Sequence, residues 1–331
     1  MKSQKKNSMK YLQDVEGIEP KIAYHYTSVG AMFDIVRNQV FWLTNLKSSN
    51  DKKELYYSDN DFFADYDNLV QHESDEKKKA VLVDIKENTD NRRLFHDAKE
   101  RDEIYALSLC RKRDNLTHWD RYAGGSSGVC IALNVAAIPQ YHERTNMGFF
   151  LSSLLDVNQI TYHQEERRKL IGALLDDVMD ELTRHTRLTY IDFRSMILPL
   201  TYYRAKNYVK NSSFSDEQEV RLLYNSRSLA TIRKMIREIA SKISTDFYKE
   251  IREECENVVK SLGIEEKRYA LFQNGIRSYH SVCLSEIWGD GLVPEIILGP
   301  MCRQDKKELR SFLNSYGLRG TKILESNVPI R

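Results

Sequence analysis

A chain of 331 residues with 41% hydrophobic side chains is long enough for one large domain or two, each with its own buried core. Its 50 Lys+Arg against 48 Asp+Glu leave a net charge of +2, too even for a protein that coats nucleic acid non-specifically, so any polyanion contact must be local. No apolar run approaches the roughly 18 residues of a membrane span, and the first twenty residues lack the apolar core of a signal sequence, so a cytoplasmic chain with no membrane partner is expected. The five cysteines, Cys110, Cys130, Cys255, Cys283 and Cys302, form no C-x-x-C pair. Cys110, Cys130 and Cys283 lie in strand-like runs as small buried hydrophobes, so neither a disulfide framework nor a metal is expected.

In chain order, residues 1–20 read as a flexible basic tail and 21–331 as a single α+β domain. Ile22 to Tyr26 reads as a strand, rich in β-branched and aromatic residues. Thr27 or Ser28 can cap the next helix, whose Met32, Ile35 and Val36 make one apolar stripe. Asn38 is placed to close that helix in a left-handed conformation, and Val40 to Thr44 is the second strand. A loop over 45–51 leads into a short helix at 53–57, and charged helices fill about 75–102 with a break near 88–91. A strand over Glu103 to Cys110, a helix over Leu116 to Tyr122 ended by Gly124-Gly125, and a strand over Gly128 to Leu133 follow. Further strands are expected at Gln159 to His163, Glu219 to Tyr224, Arg277 to Leu284, Glu295 to Leu298 and Thr321 to Glu325, with a helix at Asp305 to Tyr316. Residues near 164–210 and 228–262 read as two helical insertions; Leu170, Leu174 and Leu175 mark the face of the first, and the second is charged and ion-paired. The fold expected is a mixed, mainly antiparallel sheet of about seven strands with flanking helices.

Two constellations stand out. Glu217 and Glu219 are i and i+2, which on a strand places both carboxylates on one side, where repulsion should raise one pKa. The alternative is a pair of solvated acids, with Arg221 held by Asp216 or Glu217. His25 is either a core histidine or a ligand; Tyr24, Tyr26 and Thr27 surround it with hydroxyls at a strand-to-helix corner that suits a ribose or pyrophosphate. Asn50 or Asp51 is most simply a helix cap. Trp119 and Tyr122 share a helix face and either stack on a flat ring or pack on the sheet. The run Gly124 to Gly128 matches neither a Walker loop nor a dinucleotide fingerprint.

Several segments taken together carry a family resemblance: Tyr24-His25-Tyr26-Thr27-Ser28, Phe41-Trp42-Leu43-Thr44 with Asn50-Asp51 and Glu54, Ala106 to Cys110, His118 to Ala123 before Gly128 to Ile131, Phe214 with Glu217 to Arg221, Glu295 to Pro300, and Ser326 to Arg331. In this order they resemble the bacterial family catalogued as domain of unknown function 2971, across residues 22–331. More distantly, the first strand, helix and Trp42-Leu43-Thr44 strand look like the opening of ADP-ribosyltransferases. The Glu217-Gln218-Glu219 pattern is similar to the paired glutamates of the arginine-modifying branch, which usually begins with arginine where this chain has His25.

That second resemblance implies an ADP-ribosyltransferase-like core and an enzyme that consumes NAD, as transferase or glycohydrolase. Nucleic acid or protein would be the acceptor, and a role in anti-phage defence with partner proteins follows from family association. It implies that Glu219 supports the ribosyl cation and Glu217 the acceptor, while His25 and Thr27 hold the ribose. Tyr26, Trp42, Thr44, Asn50, Trp119, Tyr122 and Arg221 would line the NAD site. Such a site requires His25 and Glu219 on one face of the sheet. A nucleic-acid-binding surface built from Arg111, Lys112, Arg113, Lys206 and Lys210, or a non-catalytic regulatory subunit, are the other readings.

Overall fold

The computed structural model describes residues 22–46, 57–87, 104–138, 155–184, 197–198, 201–202, 204–226, 249, 253, 264–272 and 275–329. The tail 1–20, Asn50, residues 53–56 of the helix expected at 53–57, the stretch 88–102 and all of the insertion near 228–262 except residues 249 and 253 lie outside them.

The opening unit forms as its residues dictate. Strand β1 (Ile22–Thr27) leads into helix α1 (Val29–Asn38), with Ser28 accepting a hydrogen bond from the Ala31 N–H at 3.1 Å. The left-handed residue that turns the chain into strand β2 (Val40–Asn45) is Gln39, with φ of 55°, one residue later than expected. The helix runs through Asn38, and the Gln39 N–H bonds back to the Ile35 carbonyl, closing the last turn.

Helices α2 (Asp59–His72) and α3 (Glu76–Glu87) precede strand β3 (Ile104–Cys110). Sequence reading missed α2, although Ser58 and Asp61 form a capping box ahead of Phe62 and Tyr66, both fully buried. Helix α4 (Leu116–Tyr122), strand β4 (Val129–Asn134), strand β5 (Leu155–Gln159) and helix α5 (Gln164–Arg184) follow. Strand β5 ends where the expected 159–163 strand begins; beyond it Thr161 makes only an isolated bridge to Val209. Then come strand β6 (Glu219–Asn225), the hairpin of β7 (Arg268–Phe272) and β8 (Gly275–Cys283), strand β9 (Glu295–Leu298), helix α6 (Lys306–Ser315) and strand β10 (Lys322–Glu325).

Among the described residues the sheet has ten strands rather than about seven, antiparallel except for the β9–β10 pair. Its organising strand is β3. One edge pairs with β6 from Ile104↔Asn225 to Cys110↔Glu219. The other edge is shared: β2 pairs at Tyr105 and Ala106, β1 pairs at Cys110, and the two strands diverge between. One arm continues through β4, β9 and β10, the other through β8 and β7.

Because side chains alternate, β3 divides the protein into layers. Tyr105, Leu107 and Leu109 join the largest core, closed by Met32 and Val36 of α1 and Leu309 and Leu313 of α6. Ile104 and Ala106 face the opposite way into a second core with residues of α2, α3 and α5, and Cys110 into a third beneath Trp119 of α4. Cys110 and Cys130 are buried as expected, and burial pushes the Cys110 thiol up to about 11.

The approach of β1, β4 and the turn after α4 requires a glycine. A Cβ on Gly128 would lie 2.2 Å from the Thr27 carbonyl oxygen and 2.8 Å from that of Ala123. Gly128→Ala is therefore expected to cost about 3 kcal/mol or more in stability, read from denaturant unfolding. An unchanged midpoint would show that the turn yields easily.

Candidate functional site

Between the two cores on the second face, the outward residue of β3 is Ser108, and it is exposed. A polar cluster fills this seam. Every residue of β6 is buried, and Arg221, opposite Ser108, is fully so. Glu219, two residues earlier on the same face, meets its guanidinium through Nε at 2.7 Å and Nη2 at 2.9 Å. Ser108 donates to Glu219 Oε1 at 2.7 Å and Lys210 to Oε2 at 3.2 Å. These four donors fill the lone-pair positions of the carboxylate. Its backbone is fixed too, the Glu219 N–H donating to the Tyr162 hydroxyl at 3.0 Å.

Lys210 joins the two glutamates, donating also to Glu217 Oε2 at 2.7 Å. Tyr122, at the end of α4, donates to Glu217 Oε1 at 3.1 Å. The expectation that the acids would repel and one pKa would rise is overturned. Burial alone would raise Glu219, but Arg221, Lys210 and Ser108 outweigh it and hold the carboxyl at about 2. Between the acids Gln218 is left-handed, with φ of 42°, and its carbonyl accepts from the Arg111 N–H at 3.0 Å. The pair therefore converges on Lys210 through a turn, not through strand alternation, with Glu217 ending a short 3-10 turn over Ser212–Glu217.

His25 does not join this cluster. It pairs with Ile131 of β4 and lies on the face of the largest core, edge-on to Phe41 at 6.0 Å. Glu219 pairs with Cys110, on the other face. A mechanism that needs both on one NAD molecule is not available to this fold. His25 Nδ1 is buried with no hydrogen-bond partner, and burial pulls the imidazole down to about 4 against a smaller pull from the Ser108 backbone.

The remaining sequence-expected residues divide in the same way. Thr27 is buried and pairs with Val129 of the largest core, on the His25 side. Tyr26 is buried beneath α4, its hydroxyl donating to the Lys112 carbonyl at 2.8 Å and accepting from the Asn115 N–H at 3.1 Å. Trp119 is fully buried and donates to Asp114 at 2.6 Å, so it packs and offers no stacking face. Arg221 pairs with Glu219 instead of Asp216 or Glu217, and its burial removes it from any pyrophosphate. Trp42 is exposed and stacks on Tyr279 at 4.2 Å, on the other arm of the fork, while Thr44 donates to the Ala106 carbonyl. The basic surface loses members as well: Lys206 is buried, Lys210 is bound to both glutamates, and Arg113 is tied to Glu295 at 2.7 Å. Arg111 and Lys112 stand half-buried beside the seam, and exposed Tyr122 borders it. Ser108, Lys210 and Tyr162 were not singled out for this site; the signal for Ser108 was a polar residue interrupting an apolar strand.

A family model described as "Protein of unknown function (DUF2971)" matches residues 118–222. Residues 118–222 are thus similar to the DUF2971 family. The DUF2971 segment runs from α4 to the middle of β6 and so contains Tyr122, Tyr162, Lys210, Glu217, Glu219 and Arg221, the whole cluster except Ser108. No curated protein and no solved structure matches the chain. Among the described residues no cluster of metal-binding side chains is present and no helix is long and apolar enough to cross a membrane.

Two outcomes test this geometry. Arg221→Met strands a buried carboxylate and should cost about 3–5 kcal/mol, while adding Glu219→Leu should recover most of the loss. Additive losses in the cycle would disprove the coupling. The pH dependence of stability should show two windows. His25 is depressed from 6.5 to about 4, so the unfolded chain binds that proton first and stability falls as pH drops through this range. Glu219 is depressed from 4.5 to about 2, and its contribution is lost over that lower range. His25→Gln should flatten the upper window alone, in urea melts at stepped pH.

Proposed function

We propose that the seam at Ser108 binds a nucleotide and that Glu217 acts on its N-glycosidic bond, with NAD as substrate. The observation that carries this reading is the contrast between the two carboxylates. Glu219 has its four acceptor positions filled, whereas Glu217 accepts from Lys210 and Tyr122 among the described residues and keeps acceptor capacity beyond these two bonds. Glu219 offsets Arg221 and Glu217 offsets Lys210, while Arg111, which feels Glu166, and Lys112, whose Nζ donates to the Asp216 carbonyl at 3.5 Å, stand beside an exposed hydroxyl and the Tyr122 ring as the cations a phosphate could recruit.

In this chemistry the C1′–N bond breaks and nicotinamide leaves with the bonding electrons. An acceptor hydroxyl or water forms the new bond to C1′ and passes its proton to Glu217. Ser108 and Tyr122 hold the ribose and Arg111 and Lys112 face the pyrophosphate. Glu219 is a fixed anion that keeps Lys210 against Glu217, a positioning role in place of the catalytic one the resemblance implied. The ADP-ribosyl transfer suggested by the sequence is proposed in this form alone, without His25.

Incubation with NAD should release nicotinamide, measured by chromatography. Glu217→Gln should slow release by about a hundredfold or more while the chain still folds, judged by an unchanged far-ultraviolet spectrum and a cooperative urea transition. Calorimetric binding of NAD or ADP without turnover would reduce the proposal to nucleotide recognition. Absence of both would sink it and leave the cluster a structural one.

A further inference from the structure

The seam has a support that the buried arginine does not supply. The chain leaves β3 at Cys110 and reaches α4 through residues 111–115. This loop carries Arg111 and Lys112, and the helix it leads into ends on Tyr122. On one side the Arg111 N–H donates to the Gln218 carbonyl at 3.0 Å. On the other side the loop is tied to residues 326–328. Asp114 Oδ1 accepts from Trp119 Nε1 and from the Ser326 hydroxyl, both at 2.6 Å, and Oδ2 accepts from the Asn327 N–H at 2.7 Å. The Ser326 N–H is itself fixed on the Leu298 carbonyl of β9 at 2.9 Å, and its hydroxyl accepts from the Val328 N–H at 3.1 Å. Val328 packs against the core that holds Trp119, and Arg113 adds a two-point grip on Glu295 of β9 at 2.7 and 3.2 Å.

Given the seam as a nucleotide site, on which this inference rests, we propose that Asp114 is a positioning residue for it. Through Asp114, residues 326–328 set the place of Tyr122 and of the loop that carries Arg111 and Lys112. Helix α4 has only 7 residues, too few to be stable alone, so its seat comes from its contacts. Trp119 is the fully buried one of these, and Tyr122 follows it by three residues on the same helix face. The indole is closely boxed: a Cβ on Gly299, the residue after β9, would lie 3.1 Å from its ring. Where Asp114 holds the indole therefore decides where the Tyr122 hydroxyl meets Glu217. Asp114 acts through Trp119 and through the loop, not by touching a ligand. One carboxylate thus joins parts of the chain 212 residues apart to the rim of the seam.

Amide hydrogen exchange on the full chain reads this coupling directly. Ser326→Ala should speed exchange of the α4 amides by about tenfold or more with the protection of β6 unchanged, and Asp114→Asn should do the same. Ser326→Thr, which keeps the hydroxyl, should restore wild-type exchange. In both Ser326→Ala and Asp114→Asn the KM for NAD and the Kd for ADP should rise about fivefold or more while kcat stays within about twofold of wild type, the reverse of the split expected of Glu217→Gln. Unchanged α4 exchange overturns the proposal, and so does faster exchange with unchanged KM and Kd. A wild-type chain that binds neither NAD nor ADP removes the seam as a nucleotide site. The α4 exchange then decides by itself whether Asp114 positions Tyr122.

Discussion

A guanidinium with no exposure in the middle of a ten-stranded sheet is the constraint from which the polar architecture follows. Arg221 cannot shed its proton, and an unpaired charge there is untenable. The nearest solution is the residue two positions back on the same face, and Glu219 takes the guanidinium in a two-point grip. Each carboxylate oxygen then has capacity left, which Ser108 of β3 and Lys210 fill. Lys210 brings a second positive charge, and Glu217 answers it. Tyr122 of α4 completes the sequence. One buried arginine thereby fixes the register of β3 on β6, the segment ending at Lys210 and the seat of α4.

Alternation along a strand is the second constraint, and it decides what can work together. Residues 25 and 219 look like partners in sequence, but a pleated sheet sends neighbours to opposite sides. His25 shares its side with Leu109 and Ile131, Glu219 with Cys110 and Ser108. No loop rearrangement interconverts these, because a one-residue slip of β1 would turn Tyr24 and Tyr26 into the main core and strand the Tyr26 hydroxyl, now bonded to Lys112 and Asn115. The fork between β1 and β2 places His25 where, among the described residues, β3 lacks a strand partner on that edge, so it sits at a junction between arms of the sheet.

Much of the frame was legible because local rules speak for it. Ser28, Asn115 and Asp305 cap the helices that follow them, and β1 to β4, β6 and β9 stand at or within a residue or two of where their β-branched and apolar runs put them. Helix α2 was missed because aspartates and asparagines dominate it, and its capping box went unread. Strand β7 was missed because its five residues carry no turn signal before them. The site was half legible. Both glutamates and Arg221 were found, but their mutual wiring was not, since Lys210 reaches them from a segment whose position depends on tertiary packing. Trp119 was left open between stacking and packing because helical periodicity cannot tell a side chain that lies over a sheet from one that lies beside it; its full burial decides for packing.

The Glu-x-Glu pattern acquires a different meaning once its middle residue is left-handed. On a regular strand the two acids would have been equivalent neighbours, and proximity would have made one of them a proton donor. The turn at Gln218 separates them in environment instead, one inside the sheet and one at its rim. The inner acid is so well solvated by fixed donors that it is ionised, immobile and chemically quiet. Such saturation stabilises, yet the same donors would have to be surrendered before Glu219 took a ligand. The outer acid differs in its surroundings: two donors among the described residues, a partly exposed position and a lysine that the inner acid also holds. Two different environments have been given to residues that a motif alone would treat as a pair.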